Sequence, residues 1–195
     1  MKKVSFSLIA GLALGLTSLT AAAQSTSFSI VRSASAIAGN CLADAKGRVT
    51  INSLGSVEVL HLEASGLPPK TGFDAFIIQL PNAPFGLSWY QGDLTTDDSG
   101  RAVADFIGRF SSETFIVAPG SGPAPVVHPQ DATANPATAP VHTFHIGVWF
   151  DSVTAATNAG CPANMTPFNG THTAGIQALS TRNFSNANGP LRRIQ

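Results

Sequence analysis

Apolar and polar residues alternate along most of this chain with a period of two, which is typical of β-strands with one buried face. In VEVLHLEA, residues 57–64, Leu60, Leu62 and Ala64 share a face with Glu58. Helical spacing is almost absent. The alternation predicts eight or nine short strands, over residues 26–32, 47–52, 57–64, 73–80, 87–95, 101–110, 113–118, 142–150 and 174–181.

Glycine, proline, asparagine and aspartate residues separate these runs. Between residues 87–95 and 101–110 the segment TDDSG predicts a tight turn, because Asp and Ser bond their own backbone and Gly100 permits a positive φ. The two runs are therefore expected to form a hairpin. Asp97 and Asp98 are better explained as turn residues than as a catalytic pair.

One short helix is predicted at residues 152–159, with Asp151 or Ser152 as its cap. Short strands with Pro, Gly and Asn between them predict an all-β protein, an antiparallel β-sandwich of immunoglobulin- or fibronectin-like architecture, in a single domain over residues 24–195. Residues 118–140 are rich in Pro and Ala and show no periodicity. They are expected to be an extended surface loop of this domain.

Residues 1–23 have the layout of a secretory signal peptide. Lys2 and Lys3 precede an uncharged apolar run at residues 4–20, and three alanines precede Gln24. An uncleaved membrane anchor is the alternative, but the run barely reaches the roughly 20 residues that span a bilayer. We expect a bacterial protein that is secreted or periplasmic, with no membrane span in the mature chain.

Charge and cysteine content agree with export. The chain has 11 basic and 11 acidic residues, two of the basic ones in the leader, so no broad basic field for nucleic acid or anionic lipid is expected. Cys41 and Cys161 are the two cysteines, and an even number in an oxidising compartment predicts one disulfide between them. Two separate free thiols are the alternative.

Motifs for catalysis or metal binding are missing from the sequence, which contains no G-x-S-x-G and no H-E-x-x-H. Asp93 and Glu63 are the only pair that could be nominated for a glycosidase, and pairing with Arg101 or Arg109 explains them more simply. We expect no catalytic residues, no metal and no cofactor. Histidines converging on a metal from different strands remain an alternative, the candidates being His61, His128, His142, His145 and His172.

Aromatic residues offer another kind of site. If the strands at residues 87–95 and 142–150 are neighbours, two tryptophans and several polar side chains would share one face and form a shallow platform for sugars or apolar polymers. Burial of both tryptophans in the core is the alternative. The residues of this candidate ligand site are Trp89, Gln91, Asp93, His145, Trp149 and Asp151.

Two resemblances support the fold class. Residues 66–73, GLPPKTGF, resemble the strand-turn-strand corner of fibronectin type III modules, with Phe73 in place of the corner tyrosine. Most of the mature chain is similar to exported bacterial β-sandwich proteins to which no activity is attached. The runs that carry this second resemblance are FGLSWYQGDLTTDDSG, HTFHIGVWFDS and TPFNGTHTAGIQALSTRNF.

These observations favour a secreted or envelope-associated protein with a binding or structural role, whose partner is an extracellular glycan or protein rather than nucleic acid. An extracellular metal-dependent protein or hydrolase, and a carbohydrate-binding module on the Trp89 and Trp149 face, are the alternatives. The sequence leaves the oligomeric state open.

Overall fold

The computed structural model describes residues 25–111, 115–117, 140–166 and 173–194. The all-β prediction is confirmed, and the strands fall within a few residues of the predicted runs. In chain order the elements are β1 (Ser25–Arg32), α1 (Ala34–Ala38), β2 (Lys46–Ser53), β3 (Glu58–Ser65), β4 (Gly72–Ile78), β5 (Ser88–Thr95), β6 (Ala102–Gly108), β7 (Phe115–Val117), β8 (Pro140–His142), β9 (His145–Phe150), α2 (Val153–Asn158), β10 (Gln177–Ser180) and a final 3₁₀ turn at Pro190–Arg193.

Eight strands form one antiparallel sheet in the order β5-β4-β9-β10-β1-β2-β3-β6, and β7 pairs separately with β8. The single predicted strand over residues 142–150 is therefore divided between β8 and β9. Most of the predicted 118–140 loop lies outside the described residues.

The eight-stranded sheet consists of two groups of four strands. β5, β4, β9 and β10 make up the β4–β9 half, and β1, β2, β3 and β6 make up the β2–β3 half. Only two residue pairs, Val31–Ser180 and Arg32–Leu179, register β1 against β10 where the halves join. The predicted two-layer sandwich is not confirmed, because this ladder makes the sheet continuous.

The predicted hairpin between β5 and β6 is wrong. Its turn forms, since Asp97 Oδ1 accepts hydrogen bonds from the backbone N–H groups of Ser99 (2.8 Å) and Arg101 (3.0 Å). Beyond the turn, however, β5 pairs with β4 and β6 pairs with β3. The ring of Phe106 on β6 lies against Gly92 on β5. The sheet edges thus meet through side chains.

One hydrophobic core fills the space that the curled sheet encloses, and alternate residues of each strand point into it. On β3 the buried positions are Glu58, Leu60, Leu62 and Ala64, as the sequence pattern predicts. The Glu58 carboxylate accepts hydrogen bonds from the backbone N–H groups of the two residues after Arg109. It therefore anchors the chain where it leaves β6.

The outer face of the β4–β9 half is buried as well. Phe76, Ile78 and Trp149 form a second hydrophobic cluster, which Phe85 covers from the connection between β4 and β5. The rings of Phe85 and Trp149 meet edge to face with centroids 4.9 Å apart. Strands that are covered on both faces have nearly continuous apolar sequences, and this explains the composition of β4 and β9.

The predicted disulfide is present, with the sulfurs of Cys41 and Cys161 2.08 Å apart. Cys41 lies between α1 and β2, and Cys161 lies just after α2, so the bond links connections of the two halves. Ser33 strengthens the same junction, because its backbone N–H donates to the Ala178 carbonyl at 2.9 Å and its hydroxyl donates to the Gln177 carbonyl.

Two short helices flank the disulfide. α2 matches the predicted helix, and its cap is Ser152, whose Oγ accepts from the Ala155 N–H at 3.1 Å. α1 is not predicted, since five residues are too few to show a periodic pattern. Within the described part of the chain, no helix combines the length and hydropathy that a bilayer crossing requires.

Candidate functional site

The two tryptophans of the predicted platform lie on opposite faces of the sheet. Trp89 on β5 pairs with Ile77, a residue of the main core, and itself packs against that core. Trp149 on β9 pairs with Asp74 and is fully buried in the outer cluster. Moreover, β4 separates β5 from β9. The structure therefore does not form a Trp89–Trp149 face.

A bulge in β5 causes this difference. Ala75 pairs with Gly92 and Phe76 pairs with Tyr90, so Gln91 is the extra residue on β5. Beyond the bulge the alternation is reversed, which places Trp89 inward and Asp93 outward. Gln91 accepts a hydrogen bond from Trp89 Nε1 at 3.3 Å.

His145 is buried at the start of β9 and is held by neutral partners. Its Nδ1 lies 2.9 Å from Thr181 Oγ1, and its Nε2 lies 3.2 Å from the Asn186 carbonyl oxygen. Burial lowers the pKa of His145, and the carbonyls of Asn186 and Ser185 oppose this effect in part. Its side chain is fully buried and both ring nitrogens are engaged, so His145 is held in place by its neighbours.

Asp93 and Asp151, also in the predicted set, do come together. With Asp74 they line a cavity of about 230 Å³ on the outer side of the β4–β9 half. Asp74 pairs in register with Asp93, and the Asp151 backbone N–H donates to the Gly72 carbonyl at 3.2 Å. Gly72 has no side chain at the point where the Asp151 carboxylate approaches, so this close packing requires glycine.

Tyr90 adjoins this cavity as a half-exposed aromatic ring. Its hydroxyl donates a hydrogen bond to Asp93 Oδ1 at 2.6 Å, and its ring meets Phe76 edge to face at 5.7 Å. The hydrogen bond to Asp93, burial and the negative charges of Asp93 and Asp74 raise the pKa of Tyr90 to about 12. The phenol is therefore neutral at physiological pH, and the hydrogen bond and the ring contact orient it.

A second cavity, of about 580 Å³, shares Gly72 and Asp151 with the first. The connection between β3 and β4 lines one side and α2 lines the other, with Ser152, Thr154 and Asn158 providing polar groups. We name the two adjoining cavities, with Tyr90 beside them, the acidic groove. Its cation, Lys70, lies 2.7 Å from Asp98 and is partly neutralised.

The other described histidines are engaged separately. His61 Nδ1 lies 2.6 Å from Asp105 Oδ1, and its Nε2 lies 3.8 Å from Glu63 Oε1. His142 stacks on Phe144 with ring centroids 5.0 Å apart. His128 and His172 lie outside the described residues. Among those described, no three His, Cys, Asp or Glu side chains are arranged to hold a metal ion.

Sequence reasoning missed Asp74 and left Tyr90 out of the candidate set, because strict alternation places it on the face opposite Trp89. Asp74 lies in the apolar run FDAFII, and a lone carboxylate in a strand covered on both faces is the signal that could have identified it. Tyr90 could be placed beside Asp93 only by knowing of the bulge, because strict alternation puts the two residues on opposite faces.

Comparison with models of known protein families finds none that matches this chain, and comparison with curated proteins finds no match either. Any functional proposal therefore depends on the geometry of the acidic groove and of the rest of the described surface.

Proposed function

We propose that this protein is an exported, non-catalytic binding module, and that its ligand is a glycan bearing amino groups, held in the acidic groove. The observation that carries the proposal is the convergence of Asp74, Asp93 and Asp151 beside the fixed ring of Tyr90. Carboxylates accept hydrogen bonds from hydroxyl and ammonium groups, and an aromatic ring offers an apolar face to a sugar ring.

The shape and charge of the groove support this class of ligand. The larger cavity, of about 580 Å³, is lined in part by hydroxyl and amide side chains. The carboxylates favour a cationic amino sugar over a neutral one, Asp93 and Asp151 through direct contacts and the buried Asp74 through its charge. The contacts of Tyr90 with Asp93 and Phe76 orient its ring before binding, which reduces the rotamer entropy that binding costs.

Export is part of the proposal. The basic start, apolar run and alanines of residues 1–23 support cleavage by a signal peptidase, and the disulfide supports an oxidising destination. The two four-stranded halves also support a description as a sandwich whose layers are joined at β1 and β10. Sequencing the amino terminus of protein recovered from the periplasm or medium should find it at or near Gln24.

The ligand is tested by calorimetric titration of the secreted protein with tetrasaccharides of glucosamine, N-acetylglucosamine and glucose. We expect glucosamine to bind most tightly, and Asp93→Asn or Asp151→Asn to weaken it about tenfold through loss of a charge-assisted contact. Asp105→Asn, a matched change on the other half, should leave affinity unchanged.

Two results would overturn the proposal. If none of the three oligosaccharides binds, the groove is not a glycan site. If the glucosamine tetramer is cleaved during incubation, as chromatography of the products would show, the module is a hydrolase and the aspartates act as catalytic carboxylates.

A further inference from the structure

We propose that the β2–β3 half carries a second and separate site, which binds a sulfate or phosphate ester. The site is a concavity of about 430 Å³ on the outer face of this half, lined by three cationic side chains, Lys46, Arg48 and Arg101. It shares no residue with the acidic groove, so it does not depend on the function proposed for that groove.

Strand register brings these residues together. On β2, Val49 is buried in the core, and Lys46 and Arg48 occupy positions of the opposite parity. Both of these side chains therefore lie on the outer face. Lys46 pairs with Ser65 on β3, and Arg48 pairs with Ser29 on β1. Both serines line the concavity.

Arg101 reaches the same concavity from the start of β6, because the next residue, Ala102, pairs with Ala64 on β3. The three cations thus come from β2 and from the residue before β6, on either side of β3. A ligand in the concavity would be held from both sides.

The charge of the concavity is positive. Glu63 is the acidic residue in its lining, and its carboxylate lies 3.8 Å from His61 Nε2. Within the described part of the chain, no carboxylate lies within 4.0 Å of the charged nitrogens of Lys46, Arg48 or Arg101. Two acidic residues adjoin the cations, since Glu63 pairs in register with Arg48 and Asp97 accepts a hydrogen bond from the Arg101 backbone N–H at 3.0 Å. Three cations against one carboxylate in the lining still leave the concavity positive.

The side chains define the ligand chemistry. Two guanidinium groups can each bond an oxyanion in a bidentate manner, an ammonium adds a point charge, and the hydroxyls of Ser29 and Ser65 add donors. A volume of about 430 Å³ exceeds that of a bare ion and lies in the range of small-molecule sites, roughly 300–1,000 Å³. Sulfate and phosphate monoesters of a sugar-sized molecule share this chemistry.

The test is a titration of the secreted, ¹⁵N-labelled protein, followed by NMR, with glucose 6-sulfate and, separately, glucose 6-phosphate. We expect shifts at the amides of Lys46, Gly47, Arg48 and Ser65. The ester that binds more tightly shows whether the site prefers sulfate or phosphate. Arg48→Gln or Arg101→Gln should weaken binding about tenfold, and the double variant should abolish it. Glu63→Gln should strengthen it, because a competing anion is removed.

Lys70→Gln is the charge-matched control, because it removes one exposed cation from the connection between β3 and β4, outside the concavity, and should bind as the wild type does. Unchanged peak dispersion in each spectrum shows that the variant is folded. The proposal is overturned if neither ester shifts these amides, if the double variant binds normally, or if Lys70→Gln weakens binding as much as Arg48→Gln. Equal binding of inorganic sulfate would contradict the sugar-sized ligand.

Discussion

The two halves of the sheet share one core but differ on their outer faces. On the β4–β9 half, Trp149 and His145 are fully buried although they point away from the core. On the β2–β3 half, Ile107 is 71% exposed and Val103 is 59% exposed at equivalent outward positions of β6. In this fold an outward position does not by itself make a side chain exposed. Its exposure depends on whether other residues cover that face of the strand.

The difference explains how each half carries its candidate site. On the β4–β9 half, the buried ring of Phe76 supports Tyr90, whose hydroxyl donates to Asp93 in the groove. On the β2–β3 half, an uncovered sheet surface displays Lys46 and Arg48 directly. The first site depends on tertiary packing, whereas the second depends on strand register alone.

The largest effect is expected where the halves join. Replacing both Cys41 and Cys161 by serine removes a cross-link over 120 residues, which on the chain-entropy model lowers the free energy of unfolding by up to about 5 kcal/mol. Because only two residue pairs connect β1 to β10, hydrogen exchange in these strands should speed up first. Urea unfolding and amide exchange measure the two effects. An unchanged urea midpoint would show that the disulfide does not stabilise the junction of the halves.

The next largest effect is expected from truncating the outer aromatic cluster of the β4–β9 half. Trp149→Ala should lower the free energy of unfolding by about 3–5 kcal/mol, since a fully buried indole leaves a cavity. Ile107→Ala, the matched truncation on the exposed face, should change it by no more than about 0.5 kcal/mol. Both values follow from chemical denaturation. Similar losses for the two variants would contradict the contrast between covered and open faces.

Acidification should act through His145 on the β4–β9 half. Its pKa in the folded protein is below the unfolded value of about 6.5, so the unfolded chain takes up a proton that the folded chain resists. The stabilisation is complete above about pH 6.5 and is lost as the pH falls below that value. His145→Gln should flatten this part of the curve of unfolding free energy against pH, measured between pH 7.5 and 5.5. An equally steep curve for the variant would contradict the assignment.

Local sequence pattern predicted the local features of the fold well. The inward face of β3, including Glu58, follows from alternation, and the Cys41–Cys161 bond follows from cysteine count and compartment. The turn around Asp97 follows from its side-chain chemistry. Each of these depends on residues close in sequence or on a choice between few partners.

Features that depend on packing between distant strands were not predictable. The alternation across residues 87–95 gives no sign of the bulge at Gln91, yet that bulge moves Asp93 to the face opposite Trp89. Pairing of β6 with β3 rather than β5 is a choice of partner that turn residues cannot specify. Coverage of Trp149 depends on Phe85, from a connection with no periodic pattern.

The central claim is that the two halves carry separate sites of opposite charge preference, and one NMR titration with both probes tests it most directly. Glucosamine tetrasaccharide should shift the amides of Gly72, Asp74, Asp93 and Asp151. Glucose 6-sulfate or 6-phosphate, added afterwards, should shift a second set of amides on β2 and β3. The affinity for the tetrasaccharide should stay the same in the presence of the ester. Overlapping sets of shifted amides, or displacement of one probe by the other, would contradict the claim.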